Sequence, residues 1–531
     1  MNGRMLMSEK MNFLFIFTDQ QRKDHLSCYN EQMVLKTPNI DNIARQGIKF
    51  TNFYCNNPIC MPNRSTIFTG KYPSVHGVTT NGRNLPQGTR TFVDILREKG
   101  YYTANFGKIH LNYFGATSKK FNNELESQEF AYPRYYKKLS NHFPYFGLEE
   151  FKIVSGHGIL CGHPDYLNWV SSKINLDENL QLRLKIDPED SDRDILRKFA
   201  KLMTPDTEQS SMKLQVWKHE IPQELYSTTF VKEHVIEFLE KFASGNYSKN
   251  KFFMFCSFPD PHHPFSPPGK YFDMFNPEDI TLPQSFNDNH ENSSELNKKH
   301  YTKSLNTEGQ VRHLFPKAKD LTEFDAKQVI AASYGIEKMI DDAIGEILEV
   351  LEKTGLSDNT VVIYTTDHGD LGGEHRFFFK GPFLYSGLIN IPFIIKIPNG
   401  LKNKVCSSLL SSIDIPETIL ELAGLSIPEF MQGKSFKTIL KNPEAKINDD
   451  ILIEMDDEYI NEKTKTLITD EWRITIFSDH AELFNLKKDP NEMNNLWHEE
   501  HLNEIKLDLL LRLMRKILQN KPRYINRDCQ Y

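Results

Sequence analysis

Short apolar runs rich in β-branched and aromatic residues alternate along this chain with amphipathic segments of helical period. The runs occupy 12–18 (Asn12-Phe13-Leu14-Phe15-Ile16-Phe17-Thr18), 101–106, 251–258, 359–366 and 391–397. A run that stays apolar without alternating predicts a strand covered on both faces, as in the middle of a parallel sheet. Between these runs the spacing predicts helices over 37–47, 89–99, 227–243, 326–353 and 414–423. In the fourth, Ile336, Ile340, Ile344, Ile347, Leu348 and Leu351 recur at helical spacing and predict a core-facing stripe. The alternation implies an α/β fold: a large mixed, mostly parallel sheet sandwiched by helices. The segments 115–225 and 275–325 keep no period, are rich in Lys, Asn, Glu, Ser and aromatics, and are expected to be insertions that shape access to a site. From about residue 430, β-like runs at 450–455, 465–469 and 472–477 and a helical tail at 500–519 predict a smaller C-terminal α+β subdomain. The expected division is 11–429 and 430–531.

Composition narrows the partners. Lys plus Arg number 64 against 71 Asp plus Glu, a formal charge of −7, so the chain as a whole offers no basic field for nucleic acid or an anionic membrane. Any anion binding is local. No stretch approaches the roughly 20 apolar residues of a membrane span. The first apolar run is short and ends in Asp19, so it reads as a buried strand rather than a signal peptide, and the expected location is cytoplasmic. The cysteines, at 28, 55, 60, 161, 256, 406 and 529, include no C-x-x-C pair, which speaks against a disulfide framework or a zinc knuckle and for a reducing compartment. The oligomeric state is not readable.

Three of the apolar runs lead directly into chemically loaded residues: Asp19-Gln20, Pro259-Asp260-Pro261-His262 and Asp367-His368. In open α/β sheets ligand sites lie beyond the carboxyl ends of the strands. Hard oxygen donors delivered by separate strand ends suit a divalent metal. A fourth run is followed by Gly107-Lys108-Ile109-His110, in which alternate residues face one side of an extended segment. The run Cys60-Met61-Pro62-Asn63-Arg64 places cysteine, proline and arginine at alternate positions before a helix-like segment. Taken alone, Cys60 reads equally well as a small buried thiol.

Together these motifs resemble the type I, formylglycine-dependent sulfatases of the alkaline phosphatase superfamily. Ala481 to Leu496 is similar to the C-terminal signature of that family. The resemblance implies that Cys60 is oxidised to formylglycine (3-oxoalanine) by a maturation enzyme. It implies that Asp19, Gln20, Asp367, His368 and the modified Cys60 surround one divalent cation. Gln20 and His368 replace the commoner Asp and Asn and are similar to choline and carbohydrate sulfatases and to phosphonate monoester hydrolases, so Mn²⁺ rivals Ca²⁺. The implied catalytic set is Cys60 as nucleophile with Arg64, Lys108, His110, His262 and Lys380; Lys108, His262 and Lys380 would also contact the substrate. In the implied mechanism the hydrated aldehyde attacks sulfur, His262 protonates the leaving oxygen and His110 assists loss of sulfate. The expected substrate is a small sulfate ester, such as a carbohydrate sulfate. A phosphonate monoester or phosphodiester hydrolase is the nearer alternative, disfavoured by the Lys108 and His110 pair. A non-catalytic binding protein on the same fold is the more distant one.

Overall fold

The computed structural model describes residues 11–113, 144–206, 208, 210–211, 214–302, 317–457 and 462–520. The aromatic run at 132–136, the first ten residues and Cys529 lie outside them. In chain order the first strands are β1 (Asn12–Thr18), β2 (Ile48–Phe50), β3 (Phe53–Tyr54), β4 (Tyr102–Gly107), β5 (Glu150–Ile153), β6 (Phe252–Ser257), β7 (Thr360–Thr366), β8 (Phe393–Lys396), β9 (Lys404–Cys406) and β10 (Leu410–Ser411). Eight of them form one sheet in the order β5-β4-β6-β1-β7-β8-β2-β9.

Every residue of β1 is buried, and its apolar side chains alternate between two cores. Phe13, Phe15 and Phe17 join Phe253, Phe255, Val361 and Ile363 on one face, with Phe68, Phe92 and Ile419 from covering helices. Leu14 and Ile16 join Met254, Cys256, Val362 and Tyr364 on the other. That second face is closed by Glu323–Lys353 and Ser227–Ala243, through Ile336, Ile340, Ile344, Ile347, Phe238 and Leu239. Burial on both sides explains why the strand carries no polar alternation.

The five predicted strands and five predicted helices are all present, with ends shifted by three residues or fewer. Three local features add to or correct the sequence reading. The run at 391–397 forms β8, which pairs antiparallel with both β7 and β2, because pairing direction depends on how the chain returns rather than on the run itself. Among its described residues, the segment 115–225 contains three α-helices, Pro164–Leu176, Glu178–Leu184 and Asp192–Leu202. In the last, only Ile195 and Phe199 are buried, a stripe too narrow to establish a period, although Ser191 and Asp194 form a capping box. Finally, the C-terminal region has a fourth strand: β11 (Ile451–Asp457), β12 (Glu462–Ile468), β13 (Trp472–Ile476) and β14 (Ala481–Asn485) form an antiparallel sheet. Leu509 and Leu513 of Asn503–Gln519 cover it, against Leu452, Leu467, Ile474 and Leu483.

Four adjacent parallel strands, β4, β6, β1 and β7, end level with one another: Gly107 and Phe17 are both partners of Ser257, and Thr18 is the partner of Thr366. The residues that follow therefore emerge side by side along one edge. None of the described helices is long and apolar enough to cross a membrane.

Candidate active site

The site is assembled from those level strand ends and one buried helix. Asp19 and Gln20 follow β1, Lys108 and His110 follow β4, Asp260 and His262 follow β6, and Asp367 and His368 follow β7. The Asp260 carbonyl accepts the Asp19 amide at 3.1 Å, which locks two of these turns together. Gly107 is required by close approach: at φ +112 a Cβ there would sit 1.8 Å from the Ser257 carbonyl oxygen. Gln20 and His110 are themselves in the left-handed region, with φ 65 and 57. Strain of this kind persists only where surrounding structure over-determines it.

Cys60–Thr69 is a ten-residue helix buried along its whole length, and Gly70, at φ 64, terminates it. Cys60 is its first residue, so the unpaired amides and positive dipole end lie beside the sulfur. Around Cys60 Sγ stand Lys380 Nζ at 2.9 Å, His368 Nε2 at 3.2 Å and Asp19 Oδ1 at 3.7 Å. Burial and the Asp19 carboxylate push the thiol up to about 11, so the unmodified cysteine stays protonated at neutral pH.

Arg64, one turn further on, is fully buried and forks between two carboxylates. Its Nη2 donates to Asp19 Oδ2 and its Nε to Asp367 Oδ2, each at 2.8 Å, while Nη1 donates to the Lys108 carbonyl at 3.0 Å. Lys108 Nζ lies 2.6 Å from the same Asp19 oxygen. Burial opposes ionisation of Asp19, yet Lys108 and Arg64 hold its carboxyl well below the usual range. The other Asp367 oxygen accepts the amides of Gln20 and His368 at 3.0 and 2.9 Å. One ligand atom from each of Asp19, Cys60, Asp367 and His368 lies within 4.8 Å of the others, a grouping able to hold a metal ion. Burial lowers His368 to about 4, leaving its imidazole neutral.

Lys380 Nζ also reaches His262 Nε2 at 2.9 Å, while His262 Nδ1 points at the His263 carbonyl. Thus Asp19, Gln20, Cys60, Arg64, Lys108, His262, Asp367, His368 and Lys380 are tied together by hydrogen bonds and ion pairs, and His110 is buried on the same turn as Lys108. Three further residues escaped sequence reasoning. His157, on the turn after β5, has Nδ1 3.2 Å from Lys108 Nζ, and its ring stacks on His262. Its signal was two flanking glycines in a segment without period. Asp370 accepts from Gln20 Nε2, and His263 Nδ1 lies 3.0 Å from that nitrogen. Asp370 stood three residues after Asp367, and His263 directly after His262.

A mostly parallel sheet that brings two carboxylates, an imidazole and a helix-borne cysteine to one buried point beside two lysines is consistent with the alkaline phosphatase superfamily of ester hydrolases. Within it, the chain belongs to the sulfatase family: the family model described as Sulfatase matches residues 11–425. A second model, N-sulphoglucosamine sulphohydrolase, C-terminal, matches residues 373–519. The protein is therefore a sulfuric ester hydrolase. An arylsulfatase of Clostridium perfringens is 28% identical over 525 residues, covering 96% of this chain and 95% of the relative. An N-acetylglucosamine-6-O-sulfatase of Bacteroides thetaiotaomicron is 25% identical over 547 residues, covering 92% and 83%. The crystal structure of a phosphonate monoester hydrolase of Agrobacterium radiobacter shares the fold, with a TM-score of 0.76 at 22% identity and 96% of each chain covered.

Proposed function

We propose that the protein cleaves the sulfate ester of a carbohydrate or another small organic sulfate, using a formylglycine made from Cys60 and one divalent cation. The observation that carries this reading is the convergence of Lys380, His368 and Asp19 on Cys60 Sγ at a helix N-terminus. The donor set fits a cation. Gln20 Oε1 is buried and has no hydrogen-bond partner among the described residues, an acceptor that a metal would satisfy. Asp19, Gln20, Asp367, His368 and the modified Cys60 would hold it, and an oxygen-rich set with one imidazole favours Ca²⁺ with Mn²⁺ as the rival. When present, the cation would neutralise sulfate oxygens and acidify the aldehyde hydrate.

The remaining steps belong to the chain's own residues. Lys380 Nζ, between Cys60 and His262, sets a cation where the bridging oxygen of a bound sulfate ester would lie. The negative charge of that ester favours the protonated form of His262, whose Nε2 then gives its proton to the departing alcohol. Lys108 orders Asp19 and steadies the nucleophile, and His110 takes the proton released as sulfate leaves. Arg64 acts by holding the carboxylates. The names of the relatives support a carbohydrate sulfate, and a separate four-stranded sheet covered by Asn503–Gln519 supports a division into 11–429 and 430–531.

The test is mass spectrometry of the Cys60 peptide from protein co-expressed with a maturation enzyme, beside turnover of aryl sulfate, sulfated disaccharides, choline sulfate and a phosphonate monoester. Formylglycine and highest kcat/KM on a sulfate ester are expected. Activity with the thiol fully retained, or a preference for the phosphonate, would overturn the proposal.

A further inference from the structure

Two segments far apart in the chain are bolted together so that their histidines stack. The loop after β5 is closed by reciprocal bonds between Ser155 and Gly162, at 3.0 and 2.7 Å. The segment after His262 meets it through Ser266 Oγ, which accepts the Ile159 amide at 3.1 Å. Gly158, at φ +49, presses so closely on Pro264 that a Cβ would lie 2.6 Å from its carbonyl oxygen. On this seat the His157 and His262 rings lie 3.5 Å apart between centroids and 10° from parallel. Each imidazole faces a different lysine: His157 Nδ1 lies 3.2 Å from Lys108 Nζ and His262 Nε2 lies 2.9 Å from Lys380 Nζ. Lys108 carries a proton to donate, so His157 Nδ1 is the acceptor and its own proton sits on Nε2.

We propose that His157 is a positioning residue for leaving-group departure: its ring fixes the plane of His262, and its Nδ1 fixes Lys108 against Asp19. The inference rests on the sulfatase reading above. In the step concerned, the S–O bond to the alcohol breaks with its electron pair staying on the alcohol oxygen. That oxygen takes the proton from His262 Nε2, and the sulfuryl group passes to the nucleophile at 60. A tilted His262 ring misdirects the proton, whereas the charge-stabilising lysines are less affected. Alkyl alcohols, which cannot leave as alkoxides, therefore depend on the stack; nitrophenolate departs without a proton.

The test compares kcat/KM for N-acetylglucosamine 6-sulfate and 4-nitrophenyl sulfate in matured wild type, H157A, H157N, H157F and H262A, with formylglycine content and thermal midpoint measured for each. H157A and H157N should lose roughly 100-fold on the sugar sulfate and less than about 10-fold on the aryl sulfate, the scale of a misaligned acid. H157F retains a stacking ring without Nδ1, so its ratio between the two substrates should stay near wild type although both rates fall. The change of ratio in H157A should match that of H262A, and an H157A/H262A double variant, assayed alongside, should add nothing further. A ratio within about twofold of wild type in folded, matured H157A or H157N would overturn the inference, as would H157F changing the ratio as much as H157A. Wild type inactive on both sulfates but active on phosphonate monoesters would sink the sulfatase reading instead. The same two leaving groups on phosphonates would then read His157 by the same criterion.

Discussion

Replacing Arg64 with methionine keeps a long flexible side chain and removes the only cation, among the described residues, that contacts both Asp19 and Asp367. The guanidinium and both carboxylates are fully buried, and the Phe17 ring lies 4.9 Å beneath the charge. Methionine leaves Asp367 without a cationic partner and Asp19 with Lys108 alone. Breaking a buried pair from one side costs about 3–5 kcal/mol. Unfolding entropy of about 2.1 cal/mol/K per residue over 531 residues converts that to a fall of roughly 3–5 °C in thermal midpoint. The assay is thermal and urea unfolding at pH 7 in EDTA, so that no divalent ion compensates the carboxylates. R64K should fall between, because an ammonium cannot span both carboxylates as the planar fork does. The pH dependence has a definite sign. The Asp19 carboxyl is held low in the fold, so its stabilising contribution is present above its unfolded value of about 4 and lost as pH falls through the lower folded value. The gap between wild type and R64M should therefore narrow below about pH 4. R64M within 1 kcal/mol of wild type at pH 7 in EDTA would show that the fork is not what holds the carboxylates.

Lys380→Ala should lower kcat/KM by roughly 100- to 1000-fold, as for loss of one oxyanion donor, with little change in thermal midpoint; steady-state kinetics and calorimetry on matured enzyme decide it. His76 is lowered to about 3, chiefly by burial, with the Val78 amide donating to its Nδ1 and Nε2 3.1 Å from Thr66 Oγ1. The fold binds fewer protons than the unfolded chain between pH 6.5 and about 3, so stability should drop by a few kcal/mol as pH falls through that window. In H76Q, urea midpoints at pH 5 and 7.5 should differ less than in wild type. Gly107→Ala forces β4 away from β6 and should cost more than about 2 kcal/mol or abolish soluble expression, checked by circular dichroism and thermal unfolding. An unchanged melting curve would mean that the contact relaxes freely.

Much of the sheet was legible because burial on both faces writes itself into β1 and β7 as unbroken apolar runs. The long helix Glu323–Lys353 was legible for a related reason: its stripe persists for 31 residues. Glu178–Leu184 and Asp192–Leu202 were not, since two buried residues per helix make no period. His157 was missed because its setting is created by Ser266 and Pro264, more than one hundred residues away in sequence, as the Ile159 to Ser266 separation of 107 shows.

The sequence by itself determined which residue types end the strands, their order along the chain, and hence the family and the identity of the candidate ligands. Those features are local: propensity, period and covalent spacing act over a few residues. Only the tertiary structure decided that Arg64 turns to the carboxylates, that β8 runs antiparallel and that two imidazoles stack. The contacts around Cys60 join residues 41, 308 and 320 positions apart. Separations of that size are set by sheet register and packing, which no local pattern encodes.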